Sequence, residues 1–302
     1  MNALPLLQGL TGILVLIAVV VLFFRLHPGA IVNRLLPPVQ PRLQSDKRYI
    51  LFTFDTEEDW DGFSYFNSYR YIASGAFYQL VDGLKQRGVA ATFYVTPSLV
   101  ADMPEVLRHL GDNNHAIGVH LHPHNLIPVS YPYPAPYRDT QGDEIKLYSA
   151  ADKKKLLEMA KEQLESKLGH QARLFRAGRH SCDCELEKMT KAVGFEAISN
   201  HKGNYHIEPV GLWNLDVGAG GILDPERFSR IDDLLALWHK ERMRKIITFA
   251  AHPMRLYNFE LGSITQGQPA LLLDFVDYLR CQEGIEFITQ DQLLDLLESG
   301  MR

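Results

Sequence analysis

Cysteine is scarce in this chain, and the scarcity limits what can hold the fold together. Only three of the 302 residues are cysteine. Cys182 and Cys184 are separated by one residue, which is too close for an unstrained disulfide. The odd total leaves at least one free thiol, so no disulfide framework is predicted. Without a second closely spaced pair, we expect these two cysteines to be structural or incidental and not metal ligands.

An excess of positive charge is also lacking. Lysine and arginine number 31 against 36 for aspartate and glutamate, which gives a formal net charge of -5. A nucleic-acid-binding domain needs a basic face, and none is evident, so nucleic acid is excluded as a partner. No internal repeat is detectable, and the length suits one large domain or two small ones.

One long apolar run stands near the N-terminus. Residues 4–24 contain only two polar side chains, and about 20 apolar residues cross a hydrocarbon core of roughly 30 Å. A cleaved signal peptide would need a basic segment before the run and a small-residue cleavage site after it, and the chain has neither. We predict a transmembrane anchor at residues 1–25, a proline-containing linker at 26–46 and one folded domain at 47–302.

The basic residues close to the run all follow it, and only the α-amino group precedes it. They are Arg25, Arg34, Arg42, Lys47 and Arg48. Positive charge stays on the cytoplasmic side of a membrane, so the distribution favours a cytoplasmic domain on a single-pass anchor. The periplasmic side is the alternative.

Carboxylates follow an apolar strand pattern at the start of the domain. Residues 50–54 are typical of a buried strand, and Asp55, Glu57, Glu58 and Asp59 come directly after it. The carboxyl ends of strands carry the functional site in parallel α/β folds. Clustered acids repel one another, so a nearby cation would stabilise them; an acidic, solvated turn is the alternative.

Three histidines lie within five residues after a second strand pattern at 116–119. Histidine is the commonest protein ligand for borderline divalent metals, so His120, His122 and His124 suggest a metal site. If Pro123 begins a helical turn, the first and last histidines share a face; if it turns the chain, His122 replaces His124. We predict His120 and His124 as ligands, with His122 in reserve.

Strand and helix patterns alternate through the rest of the domain, in six to eight units. This order is typical of an α/β fold with parallel strands, and the length suits a (β/α) barrel. Two further strand ends carry basic side chains. Arg176 is the last residue of the strand pattern at 172–176 and Arg179 follows it, and His252 follows the pattern at 245–251.

These motifs together resemble the polysaccharide deacetylases of the NodB type, carbohydrate esterase family 4. The resemblance rests on Thr-Phe-Asp-Thr-Glu-Glu at 53–58, His-Leu-His-Pro at 120–123, Phe-Arg-Ala-Gly-Arg at 175–179 and the late His252, and it covers roughly 47–297. The motifs are similar to those of a branch linked to surface-polysaccharide and lipopolysaccharide gene clusters. The resemblance implies a distorted (β/α) barrel and a metal-dependent hydrolase. It would remove an N-acyl group, expected to be acetyl, from an amino sugar of a cell-envelope polysaccharide or a lipid-linked precursor.

The resemblance also implies roles for single residues. Asp55 would be the general base, and His252 the acid that protonates the leaving amine. Arg176 would orient Asp55 and keep it ionised, and the backbone N–H near Arg179 would be the oxyanion donor. The metal is expected to be zinc, with cobalt, nickel and iron as alternatives.

The chain departs from the usual pattern of this family at two acids. The family motif has two adjacent aspartates, whereas Thr56 follows the base here. We expect Glu57 to be the third ligand, because it would share a strand face with Asp55, and Glu58 and Asp59 are in reserve. Asp216 is the best match for a late acid that tunes the catalytic histidine.

Two other functions stay open at this stage. The same machinery allows a deformylase or another small-amide hydrolase. The departure from the paired aspartates also allows a catalytically inactive glycan-binding protein. The expected partners are an acylated amino-sugar glycan or lipid-linked sugar and the membrane, and protein partners are unknown. Enzymes of this family often act outside the cytoplasmic membrane, which favours the periplasmic alternative for the domain.

Overall fold

The structure is a computed structural model, and it describes only part of the chain. The described residues are 46–59, 68–126, 144–218, 220–224, 228–256, 258–260, 263–265 and 268–300. The anchor predicted at 1–25 and nearly all of the linker at 26–46 lie outside these residues. Within the described ranges, no helix is long and apolar enough to cross a membrane.

Strands and helices alternate along most of the folded domain. The strands are β1 (Arg48–Thr56), β2 (Thr92–Val95), β3 (Ala116–Leu121), β4 (Leu174–Ala177), β5 (Ala197–Ile198), β6 (Tyr205–Ile207), β7 (Leu212–Asn214), β8 (Gly221–Ile222), β9 (Ile246–Ala251), β10 (Asn258–Glu260), β11 (Ser263–Thr265) and β12 (Ile285–Phe287). The helices are α1 (Arg70–Ala73), α2 (Ala76–Gln86), α3 (Pro97–Asp102), α4 (Pro104–Asp112), α5 (Ala150–Leu168), α6 (Cys184–Ala192), α7 (Ile231–Glu241), α8 (Pro253–Leu256), α9 (Gln268–Arg280) and α10 (Gln290–Ser299).

The main sheet has the order β6-β7-β5-β4-β3-β2-β1-β9-β8, with β12 also paired to β1. Every pair in it is parallel except β6 with β7. β1 is buried at all but its first residue, which is typical of a central strand covered on both faces. The predicted α/β fold with parallel strands is confirmed.

The barrel, however, is open. No pairing joins β7 to β8 among the described residues, so the sheet is a curled half-barrel with an edge at β6 and another at β8. The antiparallel strand β6 explains the opening. It pairs with the free edge of β7, and in a closed barrel that edge would pair with the next parallel strand. The sequence did not predict β6, β8, α1, α3 or the small β10–β11 hairpin.

Local signals in the sequence mark where helices of the domain begin and end. Ser149 caps α5 by accepting a hydrogen bond from the backbone N–H of Asp152, and Gly169 ends the helix with a left-handed φ of 73°. The buried face of α2 carries Phe77 and Leu80 into the main core, which lies between the sheet and its helices.

The inside of the curl changes from apolar to polar along β1. Alternate residues of a strand share a face, so Tyr49, Leu51, Thr53 and Asp55 all point inward. Tyr49 and Leu51 belong to an apolar cluster that three leucines of α10 also enter. The two polar residues come later on the same face, toward the carboxyl end of the strand, and both are buried. The interior is therefore packed at one end and polar at the other.

Candidate active site

Arg176 fixes the carboxylate of Asp55. Nη1 of Arg176 donates to Oδ1 of Asp55 at 2.6 Å. Nη2 donates to Thr53 Oγ1 and to Ser199 Oγ at 3.2 and 2.8 Å, and the ring of Tyr94 lies 4.1 Å from the guanidinium carbon. Burial alone would raise the pKa of Asp55, but the charge of Arg176 outweighs it and holds the pKa below its ordinary value. Asp55 is therefore ionised.

Glu57, two residues after Asp55, lies close to two imidazoles. Its Oε2 lies 3.5 Å from Nε2 of His120 and 3.1 Å from Nε2 of His122. β3 runs to Leu121, and His122 keeps an extended backbone with φ -100° and ψ 136°, so both histidines leave the strand on one face. Burial alone would raise the pKa of Glu57, but the two imidazoles hold it well below its ordinary value. We call Glu57, His120 and His122 the ligand triad.

The ligand triad fits a divalent metal ion. One donor atom from each residue lies within 4.8 Å of the others, and all three residues are buried. Oε2 of Glu57 has no hydrogen-bond partner among the described residues, an arrangement that is costly for a buried oxygen unless a cation is bound. Oxygen and nitrogen ligands of a tetrahedral zinc ion lie about 3.4 Å apart. The 3.1 and 3.5 Å separations agree with that spacing.

His124 is not part of the ligand triad. Its ring lies beside that of His122, with centroids 5.4 Å apart and planes inclined at 46°. The expected pairing of His120 with His124 is therefore corrected, and the reserve ligand His122 takes the place. The physical reason is that the helical turn begins only at Pro123, as a single 3-10 turn, so the strand period of two still governs His122.

The two reserve carboxylates are held by other groups. Both oxygens of Glu58 accept hydrogen bonds from Nδ2 of Asn125, at 2.7 and 2.8 Å. Oδ1 of Asn125 accepts in turn from the backbone N–H of His122 at 3.2 Å. Oδ2 of Asp59 accepts from Nε of Arg70 at 2.9 Å. Glu58 thus positions the segment that carries a triad histidine, instead of being a ligand itself.

His252 faces the same space from the end of β9. Its Nε2 lies 3.9 Å from Oδ2 of Asp55 and 4.0 Å from Oε1 of Glu57. Oδ2 of Asp224 accepts from the ring Nδ1 at 2.8 Å, and Oδ1 accepts from the backbone N–H of His252 at 3.0 Å. Burial alone would lower the pKa of His252, but Asp224 outweighs it and raises the pKa to about 9. At neutral pH the imidazole is therefore protonated.

Asp224, and not the predicted Asp216, is thus the carboxylate that holds the catalytic histidine. Oδ1 of Asp216 accepts from the backbone N–H of Gly218 at 3.1 Å, and its carbonyl accepts from Gln290 at 3.0 Å. The sequence signal for Asp224 is slight, since it follows a strand of only two residues that has no readable period.

The chain turns sharply after β4, next to the ligand triad. A Cβ on Gly178 would lie 2.3 Å from ring atoms of His122, so only glycine fits there. Arg179 and His180 follow with φ of 52° and 50°, a strained conformation of the kind that gathers at functional sites. The oxyanion role of the Arg179 N–H stays a prediction. His180 interacts electrostatically with Asp55, and sequence reasoning missed it although it directly follows Arg179.

An ionised aspartate, a protonated histidine and a carboxylate–imidazole triad lie together at the carboxyl edge of a parallel sheet, which is the set of groups that a metal-dependent hydrolase needs. A sequence profile of the polysaccharide deacetylase family matches residues 42–198, just over half of the chain. The chain belongs to the polysaccharide deacetylase family. Enzymes of this family are metal-dependent hydrolases of carbon–nitrogen bonds other than peptide bonds.

Solved structures share the fold at low sequence identity. A candidate polysaccharide deacetylase from Mycobacterium smegmatis matches with a TM-score of 0.64 and 17% identity, over 87% of this chain and 95% of its own. The peptidoglycan deacetylase PdaC of Bacillus subtilis matches with a TM-score of 0.53 and 14% identity, over 85% of this chain and 95% of its own. A third match is a carbohydrate esterase family 4 pseudoenzyme that was mutated so that activity is restored. Its TM-score is 0.55 and its identity 18%, over 86% of this chain and 73% of its own. A search of curated proteins finds no match.

Proposed function

We propose that this protein removes an N-acyl group, in the first place acetyl, from an amino sugar of a cell-envelope polysaccharide or its lipid-linked precursor. The proposed cofactor is a divalent metal ion, in the first place zinc. One observation carries the proposal: the ionised carboxylate of Asp55 faces both the ligand triad and a protonated His252.

Asp55 is placed to act as the general base. A divalent ion bound to the ligand triad supplies Lewis acidity, which polarises an amide carbonyl and favours deprotonation of water. Arg176 holds Oδ1 of Asp55, so Oδ2 accepts the proton of the attacking water while the water oxygen bonds to the acyl carbon. In this proposal the backbone N–H of Arg179 donates to the oxyanion that develops on the acyl oxygen.

His252 supplies the proton for the leaving amine. Its Nε2 faces Oδ2 of Asp55, so acid and base flank the same space. As the carbon–nitrogen bond breaks, the proton on Nε2 passes to the amine nitrogen, and the products are acetate and the free amino sugar. Asp224 keeps its contact with Nδ1 throughout and so holds the ring in place.

Acetate release from an N-acetylated amino-sugar oligosaccharide tests the reaction. The full chain should release acetate after loading with zinc and not after chelation. Asp55→Asn keeps the shape but loses the charge, so we expect release to fall by about 10²–10⁴-fold. Zinc affinity should change little, because Asp55 lies outside the ligand triad. Asp112→Asn, which is exposed, is the matched control. Equal rates for Asp55→Asn and the unmodified chain would overturn the assignment.

A matched pair of histidine variants tests the ligand set. His122→Gln should lose most of the zinc bound at the ligand triad, whereas His124→Gln should keep it, because only the former contacts Glu57 Oε2. Metal content measured after dialysis distinguishes the two. The opposite result would return His124 to the site.

Parallel substrates test the acyl group. Formyl release without acetyl release would replace the proposal with a deformylase. Stoichiometric zinc with glycan binding and no acyl release would replace it with a non-catalytic glycan-binding protein. A larger rate on a lipid-linked sugar than on a polymer would identify the precursor as the substrate.

We also propose that residues 1–25 anchor the protein in a membrane, with the domain on the cytoplasmic side. The apolar run and the basic residues after it support this. The full chain should stay with membranes after alkaline extraction, and deletion of residues 1–45 should release it. Protease added to cells with a permeabilised outer layer should leave the domain intact. Its digestion there would place it on the periplasmic side.

A further inference from the structure

A second group of metal-ligating side chains lies on the segments that follow β4 and β5. Cys182 comes just after the Gly178 turn, Glu187 lies in α6, and His201 follows β5. Oε1 of Glu187 is 3.9 Å from Sγ of Cys182 and 3.2 Å from Nε2 of His201. The three ligand atoms all lie within 4.8 Å of one another. None of these residues belongs to the ligand triad.

Contrary to the expectation from the sequence for Cys182, we propose that Cys182, Glu187 and His201 form a second metal site, which takes zinc or a similar borderline divalent ion. A tetrahedral zinc ion places a sulfur and an oxygen ligand about 3.6 Å apart and a nitrogen and an oxygen ligand about 3.4 Å apart. The distances of 3.9 and 3.2 Å are close to these without any rearrangement. A thiolate and an imidazole favour zinc over magnesium and calcium, which prefer oxygen ligands alone.

The backbone around the ligands is already fixed. Oδ1 of Asn214 accepts from the backbone N–H of His201, and its Nδ2 donates to the carbonyl of His201, both at 3.1 Å. Asp183 caps α6 by accepting from the N–H of Leu186 at 2.7 Å, which holds the first turn of the helix that carries Glu187. Ligands supported in this way bind a metal with little loss of conformational freedom.

The site is accessible enough to be filled and to exchange. The side chain of His201 is 37% exposed and that of Glu187 is 13% exposed. Three protein ligands would leave a fourth position of a tetrahedral ion for water. The thiol of Cys182 is a weak hydrogen-bond donor at 3.9 Å from the carboxylate, so a bound cation replaces a weak contact with a strong one.

The second site joins two segments that shape the active site. Oδ1 of Asn200 accepts from the backbone N–H of Ala177 at 2.9 Å, and its Nδ2 donates to the carbonyl of Ser181 at 3.3 Å. A metal bound to Cys182 and His201 ties the same two segments together more strongly. Between Ala177 and Ser181 lies the strained turn beside the ligand triad, so the second metal would lie at one end of that turn.

Metal stoichiometry and cobalt spectroscopy test the second site in the full chain. Zinc equilibrium dialysis should give two ions per chain, one in Cys182→Ser and one in Glu57→Gln. Cobalt loading should give a thiolate-to-metal charge-transfer band in the unmodified chain and in Glu57→Gln. Cys182→Ser should lack that band. His201→Gln should weaken zinc binding at this site at least tenfold and leave the other ion bound.

The exposed cysteines provide matched controls. Cys184→Ser and Cys281→Ser should keep the charge-transfer band and both zinc ions, because neither thiol belongs to the group. One zinc ion in the unmodified chain, or a band lost in Cys184→Ser and kept in Cys182→Ser, would overturn the proposal. If Cys182→Ser folds poorly, His201→Gln gives the same test. A failure here leaves the proposed deacetylation intact, because Glu57→Gln and His122→Gln test the ligand triad without changing Cys182 or His201.

Discussion

At the scale of single residues, the guanidinium of Arg176 holds several polar groups in place at once. It is fully buried and donates to Asp55, Thr53 and Ser199. Arg176→Lys keeps the positive charge but cannot reach all three partners, because an ammonium lacks the planar fork of donors. Leaving a buried acceptor unsatisfied costs about 1–3 kcal/mol, so we expect the free energy of unfolding to fall by that amount in denaturant titrations.

Arg173→Lys is the matched control for this prediction. Arg173 is 26% exposed and pairs with Glu196 and Asp295 near the surface. Surface ion pairs contribute roughly 0–1 kcal/mol, so the loss should be smaller than for Arg176→Lys. Similar losses for both variants would contradict the buried role of Arg176.

Asp224 sets the protonation of His252, and its removal should be visible in a titration. Asp224 is the main group that raises the pKa of His252 from 6.5 to about 9, against the effect of burial. A histidine whose folded pKa is raised adds stability below its unfolded pKa, and this stability is lost as pH rises through about 9. In Asp224→Asn we expect the pKa of His252 to fall, measured by NMR on the metal-free protein.

The same titration on Asp216→Asn is the control. Asp224, Asp55 and Glu57 are the groups that raise the pKa of His252, so the pKa should stay raised in this variant. A fall in Asp216→Asn without one in Asp224→Asn would restore the prediction made from the sequence.

At the scale of elements, the position of His122 depends on close packing between the segment after β3 and the segment after β4. A Cβ on Gly178 would lie 2.3 Å from the ring of His122. Gly178→Ala should therefore displace that ring and weaken zinc binding at the ligand triad by about 10–100-fold, as other changes behind a metal ligand do. The affinity is best measured in the Cys182→Ser background, where one site is left.

Gly111→Ala controls for the loss of a glycine elsewhere. A Cβ at Gly111 would meet no atom within 4 Å, so zinc affinity should be unchanged. Equal affinity in Gly178→Ala would show that the turn after β4 adapts and does not support His122.

Elements with strong local signals could be predicted from the sequence, and contacts between distant segments could not. Helix α5 carries such signals at both ends, because a capping serine precedes it and a left-handed glycine follows it. The ends of β1 and β3 placed Asp55, Glu57 and His120 correctly together. The choice between His122 and His124 depended on whether the extended backbone continues through His122. It does, but the neighbouring Pro123 suggested an earlier helical turn. Asp224 could not be found, since only the pairing of β8 with β9 brings it to His252.

At the scale of the whole molecule, two separate metal sites should act on stability independently. An ion that binds only the folded state stabilises it by about 2.7 kcal/mol at a hundredfold excess over its Kd. A domain of this size gains roughly 2–4 °C in Tm per kcal/mol, so each site should raise Tm by about 5–10 °C. We expect the full zinc-dependent rise, measured against chelated protein, to be about the sum of the two.

The variants separate the two contributions. Glu57→Gln should keep only the rise from the second site, and Cys182→Ser only the rise from the ligand triad, because effects at independent sites add. The double variant should show no zinc-dependent rise, which also excludes nonspecific binding. A full rise in Cys182→Ser would mean that a single site binds the stabilising ion. A rise in the unmodified chain that exceeds the sum of the rises in the two single variants would instead mean that the ligand triad and the second metal are coupled. The strained turn from Gly178 to His180 is the connection through which that coupling would act, since it packs on His122 at one end and leads to Cys182 at the other.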